Sequence, residues 1–404
     1  MSLASIGWWI FVASTWLLAA GWVWQAAQWL LHFHQVPNLS QISASALASL
    51  PTNHGPQVTV IVPACNEQES IERTLRSLLA SQGIRLQIVA VDDRSTDKTG
   101  AIMDSLAAEF ATVATAHSLE ILHIRELPAG WLGKPHALAT AAALARSQWL
   151  LFTDGDVFFS PQAVALALGY ALAEQADHLV LMPEWTTGSF GERMLHGAIH
   201  ALTAWTLHLW RIRDPKAKDS LGVGAFNLVR RSSYQAIGGF EALRMEVVED
   251  LRLGWRLKRA QFRPRVAYGL GLVSVRWSQG AWGVVRNLEK NFFAVFRYSI
   301  PVLLGASWGI AVEAVLPLAA IVAGGPARAA GIVIYAAIAA LYIGASRVTR
   351  VSPAYVLFFP LACLIVLFAM LRSMVLTLAR GGVMWRGTLY SLKELRAHAG
   401  GGWR

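Results

Sequence analysis

"LLFTDGDV", residues 150–157, is the stretch on which the fold turns. Leu150, Leu151 and Phe152 have the unbroken apolar character of a buried strand's end, and Thr153 leads from them into Asp154 and Asp156 with only Gly155 between. Residues two apart on extended backbone share a face, so both carboxylates point in about the same direction. Like charges held that close repel unless something neutralises them. A hard divalent cation with oxygen ligands does so, and Mg²⁺ or Mn²⁺ keeps its remaining positions for phosphate oxygens and water. Alone, an Asp-x-Asp pair also occurs in ordinary surface loops, so its meaning depends on its surroundings.

Those surroundings alternate between strand-like and helical stretches. "VTVIVPA" (58–64), "LQIVAVDD" (86–93), "LEILHI" (119–124) and "WLLFTDGD" (149–156) read as strands. "ESIERTLRSLLASQG", ending at Gly83, and "HALATAAALARS" (136–147) have helical spacing. Such alternation predicts a Rossmann-like α/β domain, a mostly parallel sheet covered on both faces. In sheets of this kind ligands sit beyond the carboxyl ends of the strands. Carboxylates and amides collect at those ends. Asn66 and Glu67 follow the first strand, while Asp92 and Asp93 close the second, with Ser95 and Asp97 just behind. "GWLGKPHAL" supplies Lys134, a compact cation suited to phosphate, ahead of a helix whose N-terminus favours anions. "MEVVEDLRLGWRLKR" puts Glu249 and Asp250 at the start of another helix.

This ordered set, "PACNE", "DDRSTD", "DGD" and "VED", resembles the family 2 glycosyltransferases of GT-A fold, over residues 57–298. The resemblance implies that Pro63, Asn66, Glu67, Asp92, Asp93, Lys134 and Asp154 bind a nucleotide sugar, with UDP the first expectation for the nucleotide. It implies that Asp154 and Asp156 hold Mg²⁺ or Mn²⁺ on the diphosphate, and that Asp250, with Glu249 beside it, is the general base of an inverting transfer. Processive family members carry Q-x-x-R-W after the base, which this chain lacks: "VSVRW" (273–277) has Val for Gln, and "AVFRY" (294–298) departs at both ends. "RWSQGAWGVVRNLEKNF" (276–292) instead looks like the corresponding region of non-processive, membrane-bound members that glycosylate carotenoid acids. Arg276, Trp277, Lys290 and Asn291 match that variant, Arg286 is a further cation, and Gly224 in "LGVGAF" matches the acceptor-facing loop. Arg286 and Lys290 suit an interfacial helix touching lipid phosphates equally well.

The composition agrees with a membrane setting. Of 404 residues 55% are hydrophobic and 15% charged, against roughly 25% charged in an average soluble domain. The net charge of +10 fits nucleic acid or an anionic membrane face. Seventeen Trp residues favour the membrane, and the cations lie largely beside hydrophobic runs, so nucleic acid is not an expected partner. Cys65 and Cys363 alone make neither a disulfide framework nor a zinc site.

The first charged residue is Glu67, and residues 7–33 are long and apolar enough to cross a bilayer. Lacking a basic leading segment and a small-residue cleavage site, this run reads as a retained anchor, not a cleaved signal. The expected organisation is a transmembrane anchor over 1–35, a linker over 36–56, the glycosyltransferase domain over 57–298, a C-terminal transmembrane region over 299–371 and a basic amphipathic tail over 372–404, lying on the membrane. Three candidate spans (301–323, 327–345 and 354–371) put that tail opposite a cytoplasmic catalytic domain, against the positive-inside tendency. The sequence thus describes an integral protein of the cell or inner membrane, glycosylating a lipid acceptor, with the catalytic domain facing the cytoplasm. Two other readings are a processive polysaccharide synthase and a non-catalytic nucleotide-sugar-binding membrane protein.

Overall fold

A computed structural model describes residues 2–42, 50, 55–113 and 116–398. Most of the expected linker lies outside that set. The chain divides into two compact units. The helical unit comprises Met1–Gln35, Thr187–His208 and Trp277–Gly381, and the sheet unit comprises Val36–Thr186, Leu209–Arg276 and Gly382–Arg404.

In the sheet unit, β1 (Val58–Ala64), β2 (Leu86–Asp93), β3 (Ser118–Ile124) and β4 (Trp149–Phe152) form a parallel block in the order β3-β2-β1-β4. Every residue of β1, β2 and β4 is buried, as continuous apolar strands covered on both faces must be. Alternate residues serve two different cores. Val60, Val62 and Leu151 join one, with Leu75 and Leu78 of α2 (Ile71–Leu79), while Ile61, Val89, Leu150 and Phe152 join the other, with Ala137 and Leu138 of α4 (Gly133–Ala143). The remaining strands depart from the parallel pattern. β5 (Val157–Phe159), β6 (His178–Trp185), β7 (Asn227–Arg230) and β8 (Pro264–Val275) extend the sheet to eight strands, with β7 antiparallel to both β4 and β6.

Strand β4 stops at Phe152, four residues short of the expected end. Thr153 turns the chain out of the sheet, its N–H donating to the Ile61 carbonyl (3.2 Å) and its Oγ1 to the Ala225 carbonyl (2.8 Å). The Gly155 carbonyl is held by the Thr74 hydroxyl at 3.0 Å. Asp154 and Asp156 therefore stand on a braced turn at the sheet's rim. Nearby, α8 (Glu249–Arg259) packs backbone to backbone on the 221–224 loop. A Cβ on Gly222 would lie 1.8 Å from the Asp250 carbonyl oxygen, so nothing larger than glycine fits.

The C-terminal segment differs from the expected surface-bound tail. Residues Gly382–Trp385 (β9) and Thr388–Ser391 (β10) form an antiparallel hairpin, followed by a short helix, Leu392–His398 (α13), all within the sheet unit. Val383, Trp385, Tyr390, Leu392 and Leu395 are buried, so the apolar side chains read as lipid-facing pack on protein instead. Residues 399–404, including Trp403, lie outside the described set.

The helical unit holds α1 (Leu3–His32), α6 (Phe190–Thr203), α9 (Gly280–Val295), α10 (Ile300–Ala323), α11 (Gly325–Thr349) and α12 (Phe359–Ala379). Among the described residues four segments are long and apolar enough to cross a membrane: Leu3–Gln35, Ile300–Ala323, Gly325–Thr349 and Pro353–Ala379. They make this a membrane-associated protein with apolar helices near both ends. The last runs eight residues past the expected boundary at 371, because Arg372 and Arg380 find a partner inside the unit, the Glu289 carboxylate of α9 (2.9 and 3.0 Å). Only Gly324 separates α10 from α11, and the two fold back as a hairpin in which the Gly331 position meets the Pro317 carbonyl and Ile321. Trp8 of α1 lies at Gly325 and Trp29 at Gly344, so α1 runs parallel to α11. Trp22 Nε1 donates to Glu313 Oε2 at 2.6 Å, which gives the lone carboxyl in α10 a hydrogen bond.

Candidate functional site

The carboxyl ends of β1, β2 and β4 enclose a cluster of charges centred on Lys134. Its Nζ lies 2.7 Å from Asp154 Oδ1 and 2.6 Å from Glu249 Oε1. Burial opposes the ammonium charge, but the carboxylates of Asp154, Glu249 and Asp250 outweigh it and hold the Lys134 pKa above the usual lysine range. Position follows from sequence: Lys134 is the second residue of α4, and Glu249 and Asp250 open α8. Gly224 completes the wall. Its N–H donates to Asp250 Oδ2 at 2.8 Å, and a Cβ there would lie 2.4 Å from Asp154 Oδ2 and 3.4 Å from Lys134 Nζ.

Asp250 also accepts from the Leu251 N–H at 2.8 Å. Burial first, then repulsion from Glu249, raise its pKa to about 6. Asp156 is raised further, to about 7, by loss of water around the carboxylate and by repulsion from Asp154 and Glu67, although its side chain still reaches the surface. Five carboxylates (Glu67, Asp154, Asp156, Glu249 and Asp250) thus meet few cations, and the surplus negative charge calls for a cationic ligand. Among the described residues no group of three His, Cys, Asp or Glu side chains is disposed to hold a metal by itself. Two carboxylates with phosphate oxygens are nevertheless a donor set that Mg²⁺ or Mn²⁺ accepts, and Asp154 with Asp156 supplies it.

The other expected residues divide into those that face this cluster and those that support it. Successive strand residues point to opposite faces, and Asp92 and Asp93 separate accordingly. Asp93 pairs with Arg94 (2.8 Å) and lies 2.4 Å from where a Cβ on Gly133 would stand. Asp92 turns away to His123 Nδ1 (3.0 Å), the Ser95 N–H and the start of α3 (Thr99–Ala111). It braces the sheet's edge and does not line the cluster. Asn66 has φ 57° and accepts from the Thr96 N–H at 2.8 Å, and the Glu67 N–H donates to Thr99 Oγ1 at 2.8 Å. The loop after β1 is thereby stitched to the loop after β2. Pro63 is buried within β1, opposite Val91.

Of the expected acceptor-side residues, Gly224 and Arg276 belong to the sheet unit, with Arg276 exposed. Trp277, Arg286 and Lys290 belong to the helical unit, where Trp277 packs on His196 at 5.8 Å and the other two ride on α9. Three further residues at the cluster escaped the sequence reading. Arg94 caps Asp93. Arg386, at the tip of the β9–β10 hairpin, donates from Nη1 to the Cys65 carbonyl and from Nη2 to Glu67 Oε1, both at 2.8 Å. The Tyr390 hydroxyl accepts from the Gly133 N–H at 3.2 Å. No motif marks the last two, which lie more than two hundred residues from the groups they touch.

Comparison with known proteins bears on the family and the fold. The family model for glycosyl transferase family 2 matches residues 59–238. A 4,4'-diaponeurosporenoate glycosyltransferase of Staphylococcus aureus (strain MRSA252) is 25% identical over 224 residues, 55% of this chain and 56% of that protein. Its counterpart in Staphylococcus haemolyticus (strain JCSC1435) is 24% identical over 221 residues, 54% of this chain and 56% of that one. The match therefore spans little more than half the length of these relatives. Among solved structures, a mannosyltransferase from Pyrobaculum calidifontis, in complex with GDP-Man and Mn²⁺, superposes with a TM-score of 0.51 at 19% identity, covering 88% of this chain and 99% of that one. The two share the GT-A fold.

Proposed function

We propose that this chain, a member of glycosyl transferase family 2 through residues 59–238, is a membrane-anchored inverting glycosyltransferase that moves one sugar from a nucleotide-sugar donor, UDP-linked by expectation, to a lipid. The observation that carries the reading is the cluster in which Lys134 of α4, Asp154 after β4, and Glu249 and Asp250 of α8 converge from three elements at the sheet's rim. Asp93 and the loop carrying Asn66 and Glu67 face the nucleoside side. Lys134 meets the diphosphate. Asp154 and Asp156 would hold a divalent metal, which when bound stabilises the negative charge that gathers on the leaving diphosphate.

A hydroxyl acceptor attacks in line with the leaving group. The acceptor oxygen bonds to the anomeric carbon from the face opposite the diphosphate, the bond from that carbon to the diphosphate oxygen breaks, and the nucleoside diphosphate leaves with the electron pair. Asp250 takes the hydroxyl proton. A base with a pKa of about 6 is ionised at neutral pH yet basic enough to accept a proton in the transition state. A carboxylate acceptor would arrive already deprotonated and would need Asp250 only for positioning.

The lipid acceptor is supported by the apolar helices and by the carotenoid acid in the relatives' names. Absence of Q-x-x-R-W weighs against a polysaccharide synthase. A cytoplasmic catalytic domain is the side on which nucleotide sugars are made. Because residues 382–398 belong to the sheet unit, we read the chain between residues 276 and 382 as crossing an even number of times. The α10–α11 hairpin supplies two crossings, and on this reading Pro353–Ala379, although long and apolar enough to cross, does not add a third. On that reading the basic C-terminal segment lies on the catalytic side, as the positive-inside tendency favours.

The test is full-length protein in nanodiscs, given membrane lipid extract, Mn²⁺ and a panel of labelled nucleotide sugars. The expected product is a lipid heavier by one sugar residue in mass spectrometry. A ladder of polymer would favour the synthase, and tight nucleotide binding without transfer to any lipid would favour the non-catalytic reading.

A further inference from the structure

We infer that the C-terminal hairpin is part of the donor site, with Arg386 at its tip meeting the donor's diphosphate opposite Lys134. This rests on the donor-binding reading above and extends it to a segment that no motif of the chain marks.

The hairpin turns on two residues, since Trp385 pairs with Thr388. Arg386 and Gly387 both have positive φ, 47° and 79°, as a type I′ turn requires. Asn, Asp and Gly are the residues that favour such a turn, and a side chain as long as arginine is uncommon there. What the arginine gains is reach. Its guanidinium donates to the Cys65 carbonyl at the end of β1 and to Glu67 just beyond it, each at 2.8 Å. Four residues further on, the Tyr390 hydroxyl accepts from the Gly133 N–H at the start of α4. The hairpin is thus fastened both at the end of β1 and at the start of α4, the two elements whose ends bear Glu67 and Lys134. At its base, α13 reaches the segment that also holds α4, through His398 beside Arg244 (3.3 Å) and the Leu132 N–H on the Arg244 carbonyl (2.8 Å).

Charge gives the placement its meaning. A nucleoside diphosphate entering here meets Glu67, Asp154 and Asp156 on one side and Glu249 and Asp250 on the other. Lys134, shared between Asp154 and Glu249, cannot balance all of them. Arg386 brings a second cation whose planar fork matches phosphate oxygens, and its present partner Glu67 marks where that fork lies before a donor arrives. About a third of the Arg386 side chain remains exposed, so it can exchange a carboxylate partner for a phosphate.

The experiment compares wild type with Arg386→Gln and Arg386→Lys as full-length proteins in nanodiscs with Mn²⁺. Binding is measured by calorimetry for UDP, GDP, ADP and dTDP and for the four matching nucleosides. The expected result is that Arg386→Gln weakens the preferred nucleoside diphosphate at least about tenfold, leaves its nucleoside unchanged, and is partly rescued by Arg386→Lys. The donor KM should rise in step, with thermal midpoints alike for all three proteins. Equal loss for diphosphate and nucleoside, or no loss for either, overturns the inference, because the hairpin would then be a prop or a bystander. If wild type binds none of the eight ligands, the donor-site reading itself fails, which is a different outcome from unaltered affinity in the variant.

Discussion

Asp250 carries a charge where charge is costly, and its chemistry follows from that. Half-buried beside Glu249, it has a pKa pushed up to about 6, well above an ordinary aspartate. A group so raised is protonated below that pH and ionised above it. With a hydroxyl acceptor, transfer by the wild type should therefore fall as pH drops through about 6, and kcat against pH should show one acidic limb there. Asp250→Asn should lower kcat by about 10²–10⁴ while leaving nucleotide affinity within a few-fold. A flat profile with an active Asn variant would assign the acceptor as a carboxylate or remove Asp250 from the chemistry. Lys134 is the complementary case. Glu249 is almost wholly buried against it, and removing one partner of a buried pair leaves an uncompensated charge. Lys134→Met should destabilise the sheet unit by about 3 kcal/mol and abolish nucleoside diphosphate binding, read by thermal midpoint and calorimetry.

At the scale of elements, the site is set by how closely α8 approaches the 221–224 loop. A Cβ on Gly254 would stand 2.0 Å from the Leu221 carbonyl oxygen, with backbone on both sides and no side chain able to yield. Gly254→Ala must push α8 outward, and overpacking of this kind costs about 1–3 kcal/mol. Because Glu249 and Asp250 sit in the first turn of that helix, kcat should drop with stability, whereas a larger residue at an exposed position such as Ser105 should change neither. The parallel strands were legible because their apolar runs end in polar residues. The β4–β7 and β6–β8 pairings were not, since antiparallel and parallel neighbours present the same buried pattern.

For the whole molecule, sidedness can be checked without activity. Single cysteines at Ala323, Ala397 and Ser105, in a background with Cys65 and Cys363 replaced by serine, report on the α10–α11 turn, α13 and α3. With a membrane-impermeant thiol reagent, Ala397→Cys and Ser105→Cys should label from one face and Ala323→Cys from the other. Ala397 and Ala323 labelling together from the face opposite Ser105 would require three crossings and detach the hairpin from the sheet unit.

Sequence alone determined the order of strands and helices at the start of the domain, the charged groups at their ends and the apolar helices, because each of these is written in a local pattern of residues. It also placed Asp154, Asp156, Lys134, Glu249 and Asp250 at strand ends and helix starts, where a parallel sheet gathers its ligands. Tertiary structure alone decided that Asp92 faces away from that cluster while Asp93 faces it, since the twist and pleat of the strand assign each to its own side. It alone returned the C-terminal segment to the sheet unit. Trp385 and Tyr390 bury equally well in lipid or against protein, and only the fit of a particular surface chooses between the two.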